Sequence, residues 1–532
     1  MNIVDGELRS ATKDQYSSEF LESHVAYNKF LDVYDDYPKF KCTGTICTIG
    51  PACSNSETIR EMIREGMCIA CFDFSRGSHK DQKILLNMVK SGSLQFSENH
   101  QLALAIDIKG PEIRIGMNQN NAHITLLEGK EVIVTTDESY KDKCTFERLY
   151  IDFHELIDSI NAGQQILIDD GRIVLKAKEL GKMAVLCDIL CGGTLCGLEN
   201  VILPRINTNL PIFSEKNIKD IRFAVEERFD IVMVFIRKAQ NVKDVRQLLD
   251  ETEHGRTMRI VSKIENYEGV ENIEEIIEES DSIMVFRNRL ALDLDNERSL
   301  IAQKKIISLC NLSGKYVICS GQILESMLDK NIPTVAEISD GINSVLDGTD
   351  CLMLFNETAY GKYPVQAAKT LKSICLAAEN MNQTRRHFES IKNSLSCMTH
   401  EQATAMAAVD ISYNLRVDGI IVLTTTGRTA QLISMFHPRC FVFALTRCSE
   451  VARSLHLYRN VCPIIYTRKR VEPWTEDIEA RVTFTVNYAL KNEVFKVGSK
   501  FIIITGWKPG PGFSNTIRIG CVQSNSFIDG VK

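Results

Sequence analysis

The sequence lacks the features that mark membrane, secreted and nucleic-acid-binding proteins. No run approaches the ~20 apolar residues that span a bilayer. Residues 1–36 are polar and acidic, unlike a secretory signal or an Arg-rich transit peptide. The formal net charge is −7, so no excess of positive charge indicates a nucleic-acid-binding surface. We therefore expect a cytoplasmic protein with neither a membrane nor a nucleic acid as partner.

The cysteines also show no pattern of a metal site or a disulfide framework. The 18 cysteines are scattered and never form two CxxC pairs at zinc-ligand spacing. Many stand inside apolar runs, for example Cys47, Cys319 and Cys351, which predicts buried free thiols in a reducing compartment. The 532 residues are 44% hydrophobic and 25% charged, as is usual for soluble globular proteins, and imply several domains.

What the sequence does contain is a repeated alternation of β-rich apolar runs and helix-like stretches. Eight apolar runs fit one sheet, and eight β/α units are typical of a TIM (β/α)8 barrel. The stretch 56–66 has helical periodicity and ends at Gly66, a C-cap signal, and the stretches 273–279 and 301–311 behave similarly. The eight predicted strands are residues 45–49, 69–73, 102–107, 231–236, 260–263, 283–286, 316–319 and 351–354.

Two regions interrupt or follow this alternation. Residues 111–211 contain short alternating runs separated by Gly and Asp turns, which predict an inserted small β domain, a β barrel acting as a lid. After residue 380 the strands 420–424, 441–445, 463–466 and 501–505 predict a separate α/β domain with a mixed or parallel sheet. The fold class is thus α/β, with an N-terminal arm (1–37), a barrel (38–110 and 212–380), the lid (111–211) and a C-terminal domain (381–532).

Six ordered blocks resemble pyruvate kinase. They are TICTIGPA (45–52), KGPEIR (109–114), SKIENYEG (262–269), QILESM (322–327), DGTDCLML (347–354) and TGWKPGPGF (505–513). The resemblance implies the last step of glycolysis, phosphoryl transfer from phosphoenolpyruvate to ADP giving pyruvate and ATP, with Mg²⁺ and K⁺. It also implies that Lys263 stabilises the transferring group and that Glu265 is one of two carboxylates holding Mg²⁺. The alternative is that these two form only a structural ion pair.

At other positions the chain departs from the family pattern. Arg289 stands where the resemblance implies the second Mg²⁺ carboxylate, and an arginine has no acceptor atom. Asn288, just before it, stands where the resemblance implies a glycine, so a side chain is added there. Gly321 stands where a threonine near the proton-transfer step is implied, while Ser320 is expected to point to the opposite face. We expect Arg289 to pair with Glu265, either merely neutralising it or making an oxyanion site that needs no Mg²⁺. Asp293 is the nearest substitute carboxylate.

The implied substrate and potassium positions are also mixed. Cys71 replaces a phosphate-binding arginine, Asp73 a neutral potassium ligand, Ile108 a threonine of the potassium site, and Glu199 a lysine of the lid. Ser75, Asp107 and Arg114 match the family. Five losses in one pocket (Cys71, Ile108, Glu199, Arg289 and Gly321) predict poor turnover, because each preorganised charge contact contributes ~10²–10³ in rate.

The C-terminal domain keeps a hydroxyl- and Gly-rich turn before a helix, a pattern that favours anion binding. The resemblance implies a sugar bisphosphate effector there, although Thr425 replaces a lysine of some effector-responsive members. The alternative is a capped helix without a ligand. The implied effector residues are Thr424, Thr426, Gly427, Arg428, Thr429, Trp474, Arg481 and Gly512.

Two functional hypotheses follow. The first is a catalytically weak or dead pyruvate kinase paralogue that joins a homo- or hetero-tetramer with family members or senses metabolites. The second is an active pyruvate kinase with an altered, compensated site. Metal dependence separates them, because the family mechanism needs Mg²⁺ bound through Glu265 and a partner carboxylate.

Overall fold

The structure, a computed structural model, describes residues 27–29, 31–34, 37, 40–96, 101–208, 210–381, 384–508, 510 and 514–523. The predicted arm at residues 1–37 lies for the most part outside them. Among the described helices, none is both long and apolar enough to cross a membrane. The buried free thiols predicted at Cys47, Cys319 and Cys351 are confirmed.

Within the described residues, the strands fall into four sheets. In chain order they are β1 (Gly44–Ile49), β2 (Ile69–Asp73), β3 (Ala103–Asp107), β4 (Ile113–Arg114), β5 (Ile124–Leu126), β6 (Glu131–Thr135), β7 (Arg148–Tyr150), β8 (Gln165–Ile168), β9 (Ile173–Leu180), β10 (Ala184–Cys191), β11 (Gly193–Leu195), β12 (Asn200–Ile202), β13 (Ile231–Phe235), β14 (Arg259–Ile264), β15 (Ser282–Phe286), β16 (Tyr316–Ser320), β17 (Cys351–Leu354), β18 (Gly419–Leu423), β19 (Phe441–Thr446), β20 (Val461–Ile465), β21 (Lys500–Gly506) and β22 (Ser514–Cys521).

The helices connect these strands and cover the barrel. They are α1 (Ser56–Arg64), α2 (His79–Phe96), α3 (Leu156–Ser159), α4 (Glu215–Glu226), α5 (Ala239–Leu249), α6 (Tyr267–Glu271), α7 (Ile273–Glu279), α8 (Arg287–Leu294), α9 (Asn296–Ser313), α10 (Val335–Leu346), α11 (Asn356–Ala359), α12 (Pro364–Asn380), α13 (Thr384–Ser394), α14 (His400–Leu415), α15 (Arg428–Met435), α16 (Ser449–Ser454) and α17 (Trp474–Lys491). Polar side chains cap several of the helix starts: Asn55 accepts from Thr58 N before α1, and Ser214 and Thr334 form capping boxes before α4 and α10.

A closed barrel of parallel strands forms the centre of the chain, in the order β1-β17-β16-β15-β14-β13-β3-β2. All eight predicted strands are confirmed, and nearly every residue in them is buried because helices cover the outside and side chains fill the inside. One apolar cluster packs the strands against the helices, and a second fills the interior. The second cluster continues into the C-terminal domain through Tyr316 and Tyr458, whose ring centroids are 4.5 Å apart.

The remaining sheets account for the insertion and the C-terminal domain. Between β3 and β13 the chain forms a seven-stranded sheet and a two-stranded ribbon. An antiparallel bridge between Ile115 and Ile151, just beyond the edge strands β4 and β7, draws the sheet closed. The C-terminal sheet has the order β20-β19-β18-β21-β22, in which the last pair is antiparallel. The predicted α/β fold class is confirmed; the sequence analysis missed β22, whose polar, half-exposed residues give a weak strand pattern.

Candidate active site

Because all barrel strands are parallel, their carboxyl ends meet at one mouth, where TIM-barrel sites lie. Asp73 and Asp107 are register partners at the ends of β2 and β3. Lys263 stands near the end of β14, and Glu265 is the first residue after this strand. Helix α8 starts at the end of β15, and β16 ends at Ser320 beside it. The sequence-predicted barrel residues are therefore gathered at this mouth, which we call the cleft.

A buried ion-pair triad stands at the centre of the cleft. Lys263 Nζ lies 2.7 Å from Asp107 Oδ1 and 2.9 Å from Glu265 Oε1. Burial acts to lower the pKa of Lys263, but the two carboxylates outweigh it and raise that pKa above its ordinary value. Burial raises the pKa of Asp107 to about 6, although the Lys263 ammonium opposes the shift. Lys263 is 4% exposed, so its charge depends on these two partners.

A second cluster, which we call the Glu112 cluster, joins the barrel to the insertion. Glu112 Oε2 lies 2.6 Å from both Lys109 Nζ and Arg114 Nη2, and Glu112 Oε1 lies 3.5 Å from Arg289 Nη2. Burial acts to raise the pKa of Glu112, but the three cations outweigh it and lower that pKa. The expectation that Arg289 pairs with Glu265 is wrong: Glu265 pairs with Lys263, and Arg289 reaches across the cleft to a carboxylate that the sequence analysis did not single out.

Asn288 and Gly321 fit each other in space. Gly321 has φ of +90°, and a Cβ at this position would lie 2.6 Å from Asn288 Oδ1. The Asn288 side chain thus fills the space that a side chain at position 321 would need. The two departures from the family pattern, a larger residue at 288 and a smaller one at 321, therefore act as a matched pair.

Two side-chain directions differ from those assumed in the sequence analysis. Ser320 faces the barrel interior, because it alternates with Cys319 and is in register with Phe286, an interior residue. Its hydroxyl is fully buried and has no hydrogen-bond partner in the described part of the chain. Ile108 instead packs in the outer cluster, between the strands and the helices. Its hydrocarbon side chain therefore removes no hydroxyl from the cleft.

At the end of β2 the substituted residues are held by local contacts. Cys71 is buried in the barrel interior, where its Sγ lies 4.0 Å from Met233 Sδ. Burial, followed by Asp107 and Asp73, raises the pKa of this thiol well above its ordinary value, so it stays a neutral group. Asp73 Oδ1 accepts a hydrogen bond of 2.8 Å from the backbone N–H of Ser75.

Asp293 and Glu199 do not face the cleft as free ligands. Both carboxylate oxygens of Asp293 accept backbone N–H groups, from Arg205 and Tyr267, so the proposed substitute ligand fixes the start of α6 instead. The Glu199 carboxylate accepts the backbone N–H groups of Cys196 and Gly197 and closes its own turn. The turn is bound to Arg114, whose Nη1 donates to the Leu198 carbonyl at 2.6 Å.

The C-terminal domain has a loop of its own at the end of β18, which we call the effector loop (424–429). Thr424 Oγ1 accepts from Gly427 N at 2.9 Å, and Gly427 takes φ of +84° immediately before α15. Arg481 Nε lies 3.1 Å from Asp477 Oδ2 on the opposite wall. Gly512 lies outside the described residues. A cavity of about 200 Å³ is lined by residues that include Thr424, Thr425, Thr426, Arg428, Thr429, Trp474, Arg481, Thr505 and Lys508.

One residue of the cleft, Glu112, was not predicted from the sequence, and the direction of Ser320 was predicted wrongly. Glu112 was visible as the acid within KGPEIR, between Lys109 and Arg114, but nothing in the sequence brings Arg289 to it. The fit of Asn288 against Gly321 has no local sequence signal either. The direction of Ser320 follows from strand alternation once the end of β16 is known.

Comparison with known proteins agrees with this architecture. Residues 40–368 match the pyruvate kinase barrel domain, and residues 402–520 match the pyruvate kinase alpha/beta domain. The chain is 38% identical to human pyruvate kinase PKLR over 515 residues, covering 95% of this chain and 89% of the relative. It is 36% identical to pyruvate kinase 1 of Saccharomyces cerevisiae over 483 residues, covering 90% and 96%. The chain belongs to the pyruvate kinase family.

Proposed function

We propose that this chain is a pyruvate kinase homologue that transfers the phosphoryl group of phosphoenolpyruvate to ADP far more slowly than ordinary members do, or not at all. The observation that carries the proposal is the charge arrangement of the cleft. Arg289 occupies the implied position of a metal-binding carboxylate, while Lys263 engages the remaining one, Glu265, at 2.9 Å.

The cleft residues fit Mg²⁺ poorly. Members of this family use Mg²⁺ and K⁺. Mg²⁺ requires oxygen ligands in an octahedral shell, and a guanidinium offers none while repelling the ion. The potassium position keeps the oxygen atoms of Asp73, Ser75 and Asp107, but Lys263 engages Asp107.

One of the five implied losses does not concern the cleft. Ile108 faces the outer core, so the hydroxyl that it replaces is not a group of the cleft. Four losses remain, at Cys71, Glu199, Arg289 and Gly321. One preorganised contact contributes ~10²–10³ in rate, and such effects are not additive. Four losses remove a large part of the rate enhancement of a typical enzyme.

A second candidate function is an active pyruvate kinase with a compensated site. Ser320 favours it, because its buried hydroxyl faces the interior beside Gly321 and has no hydrogen-bond partner in the described residues. A hydroxyl at this place can serve proton transfer in place of the missing threonine. The residual chemistry would still need the phosphoryl-stabilising charge of Lys263.

The test is turnover of phosphoenolpyruvate and ADP by the purified full chain with saturating Mg²⁺ and K⁺. Pyruvate kinase 1 of Saccharomyces cerevisiae, measured in the same assay, sets the scale. We expect a rate at least ~10²-fold lower, and any residual rate to vanish in Lys263→Met. A rate equal to that of the yeast enzyme would refute the proposal and favour the compensated site. If Ser320→Ala then lost that rate, the compensation would be assigned to the Ser320 hydroxyl.

The remaining roles follow from the family. We infer a cytoplasmic protein that assembles as a homo-tetramer, or as a hetero-tetramer with other family members, and that binds a sugar bisphosphate at the effector loop. The support for this ligand is the backbone N–H groups at the start of α15 together with Arg428 and Arg481 around the cavity. Native mass spectrometry, alone and mixed with an active family member, tests the assembly: a monomer in both samples would exclude it.

A further inference from the structure

We propose that the Glu112 cluster is an oxyanion site that binds a phosphate-bearing ligand without a divalent cation. The proposal rests on the function proposed above and names the ligand chemistry of the same cleft. Three cationic side chains, Lys109, Arg114 and Arg289, share the single carboxylate Glu112, so the cluster carries an excess of positive charge. Such an excess, partly shielded from water, attracts anions.

Arg289 is the member best placed to leave Glu112 for a ligand. Its contact with Glu112 is 3.5 Å long, whereas Lys109 and Arg114 approach the carboxylate to 2.6 Å. The Arg289 side chain is 29% exposed, so solvent and small ligands reach it. A guanidinium has five N–H donors in a planar fork that matches phosphate and carboxylate oxygens bidentately. A single long contact leaves most of these donors for another acceptor.

The surroundings of Arg289 supply independent support. Arg289 stands in the first turn of α8, which starts without a side-chain cap, so the backbone N–H groups of that turn remain for an anion. Ser320, in register with Phe286 just before α8, keeps a fully buried hydroxyl without a partner among the described residues. Arg289 and the uncapped helix start thus belong to one turn, and the neighbouring strand end carries an unpaired buried hydroxyl.

The position of the cluster explains how a ligand could act on the fold. Lys109 and Arg289 belong to the barrel, whereas Arg114 belongs to the first strand of the insertion and holds the turn at Leu198. An oxyanion between Arg289 and Arg114 therefore links barrel and insertion directly. We expect ligand binding to fix the insertion against the barrel without any turnover.

The experiment is calorimetric titration of the full chain with inorganic phosphate in the presence of EDTA. We expect one phosphate to bind in the cleft without Mg²⁺, and added Mg²⁺ not to strengthen binding. Arg289→Gln should weaken binding at least about tenfold, because a charge-assisted contact is lost. Glu112→Gln should strengthen binding, because the competing carboxylate disappears. If the cluster were purely structural, the two substitutions would not change phosphate affinity in opposite directions.

The controls separate this site from others. Arg298→Gln removes an exposed guanidinium paired with Asp295 on the next helix and should leave binding unchanged. Weakening by Arg428→Gln but not by Arg289→Gln would assign the phosphate to the effector loop and overturn the proposal. Competition by phosphoenolpyruvate or by ADP identifies the source of the phosphate group, and competition by neither would contradict a site in the cleft. Thermal unfolding of each variant verifies its fold.

The two experiments distinguish a failure of the oxyanion site from a failure of the proposed function. Turnover at the rate of the yeast enzyme together with Mg²⁺-independent phosphate binding would refute the slow-turnover proposal and leave the oxyanion site intact. Background turnover together with phosphate binding only in the presence of Mg²⁺ would overturn the oxyanion site alone.

Discussion

The barrel cleft and the effector loop treat their polar groups in opposite ways. In the cleft, Lys263 is closed onto Asp107 and Glu265, and Arg289 reaches Glu112. At the effector loop, the hydroxyls and the helix start surround a cavity of about 200 Å³. The charged groups of the cleft thus pair with one another, whereas hydroxyls and a helix start at the effector loop line an open cavity. The two regions therefore differ in whether their polar groups are closed onto each other or border empty space.

We expect the largest loss of stability when Lys263 is removed from the cleft. Lys263→Met leaves Asp107 and Glu265 buried without their cation, and breaking a buried pair costs ~3–5 kcal/mol. We expect a marked fall in the urea midpoint and in Tm. Lys362→Met, which removes an exposed ion pair with Asp329, is the matched control and should leave both unchanged. Equal changes in the two variants would contradict a stabilising role of the buried triad.

A smaller effect is expected at the effector loop. A sugar bisphosphate at 100 times its Kd should stabilise the chain by ~2.7 kcal/mol, seen as a rise in Tm. Arg428→Gln should abolish the rise, because Arg428 lines the cavity. Arg518→Gln, which removes a guanidinium paired with Glu479 on the same domain, should leave the rise in Tm unchanged. An unchanged Tm of the wild-type chain at saturating ligand would favour a capped helix without an effector.

The smallest effect concerns the matched pair in the cleft. Gly321→Ala should cost ~1–3 kcal/mol through strain at positive φ and through the clash with Asn288 Oδ1 at 2.6 Å. Gly498→Ala is the control, because Gly498 has φ of +89° and open space around it, so it reports strain alone. Adding Asn288→Gly to Gly321→Ala should restore the part of the unfolding free energy by which Gly321→Ala falls below Gly498→Ala, as measured by urea denaturation. No such recovery would show that residues 288 and 321 do not interact.

The sequence predicted the fold well because its signals are local. Each barrel strand is a short apolar run, and a helix follows it everywhere except after β3, where the insertion begins. For the cleft, the sequence predicted which residues lie at the strand ends but not which of their side chains contact each other. Arg289 and Glu112 are 177 residues apart, and their meeting depends on how the insertion lies on the barrel.

Side-chain direction at strand ends was the other source of error. A shift of one residue in the end of β16 would decide whether Ser320 or its neighbour faces the barrel interior. In the structure it is Ser320 that faces the interior. Ile108 follows the end of β3 and faces the helices, a direction that its apolar side chain fits. Both cases follow from strand alternation, but only when the strand boundary is known to one residue.

We propose that Arg289 keeps a divalent cation out of the cleft. The most direct test is titration with Mn²⁺, an electron-paramagnetic stand-in for Mg²⁺, of the wild-type chain and of Arg289→Asp. We expect the wild type to bind no Mn²⁺ in the cleft at concentrations that fill one site in Arg289→Asp, and Glu265→Gln in the Arg289→Asp background to remove that site. One Mn²⁺ bound by the wild-type chain and lost in Glu265→Gln would show that Arg289 does not exclude the metal.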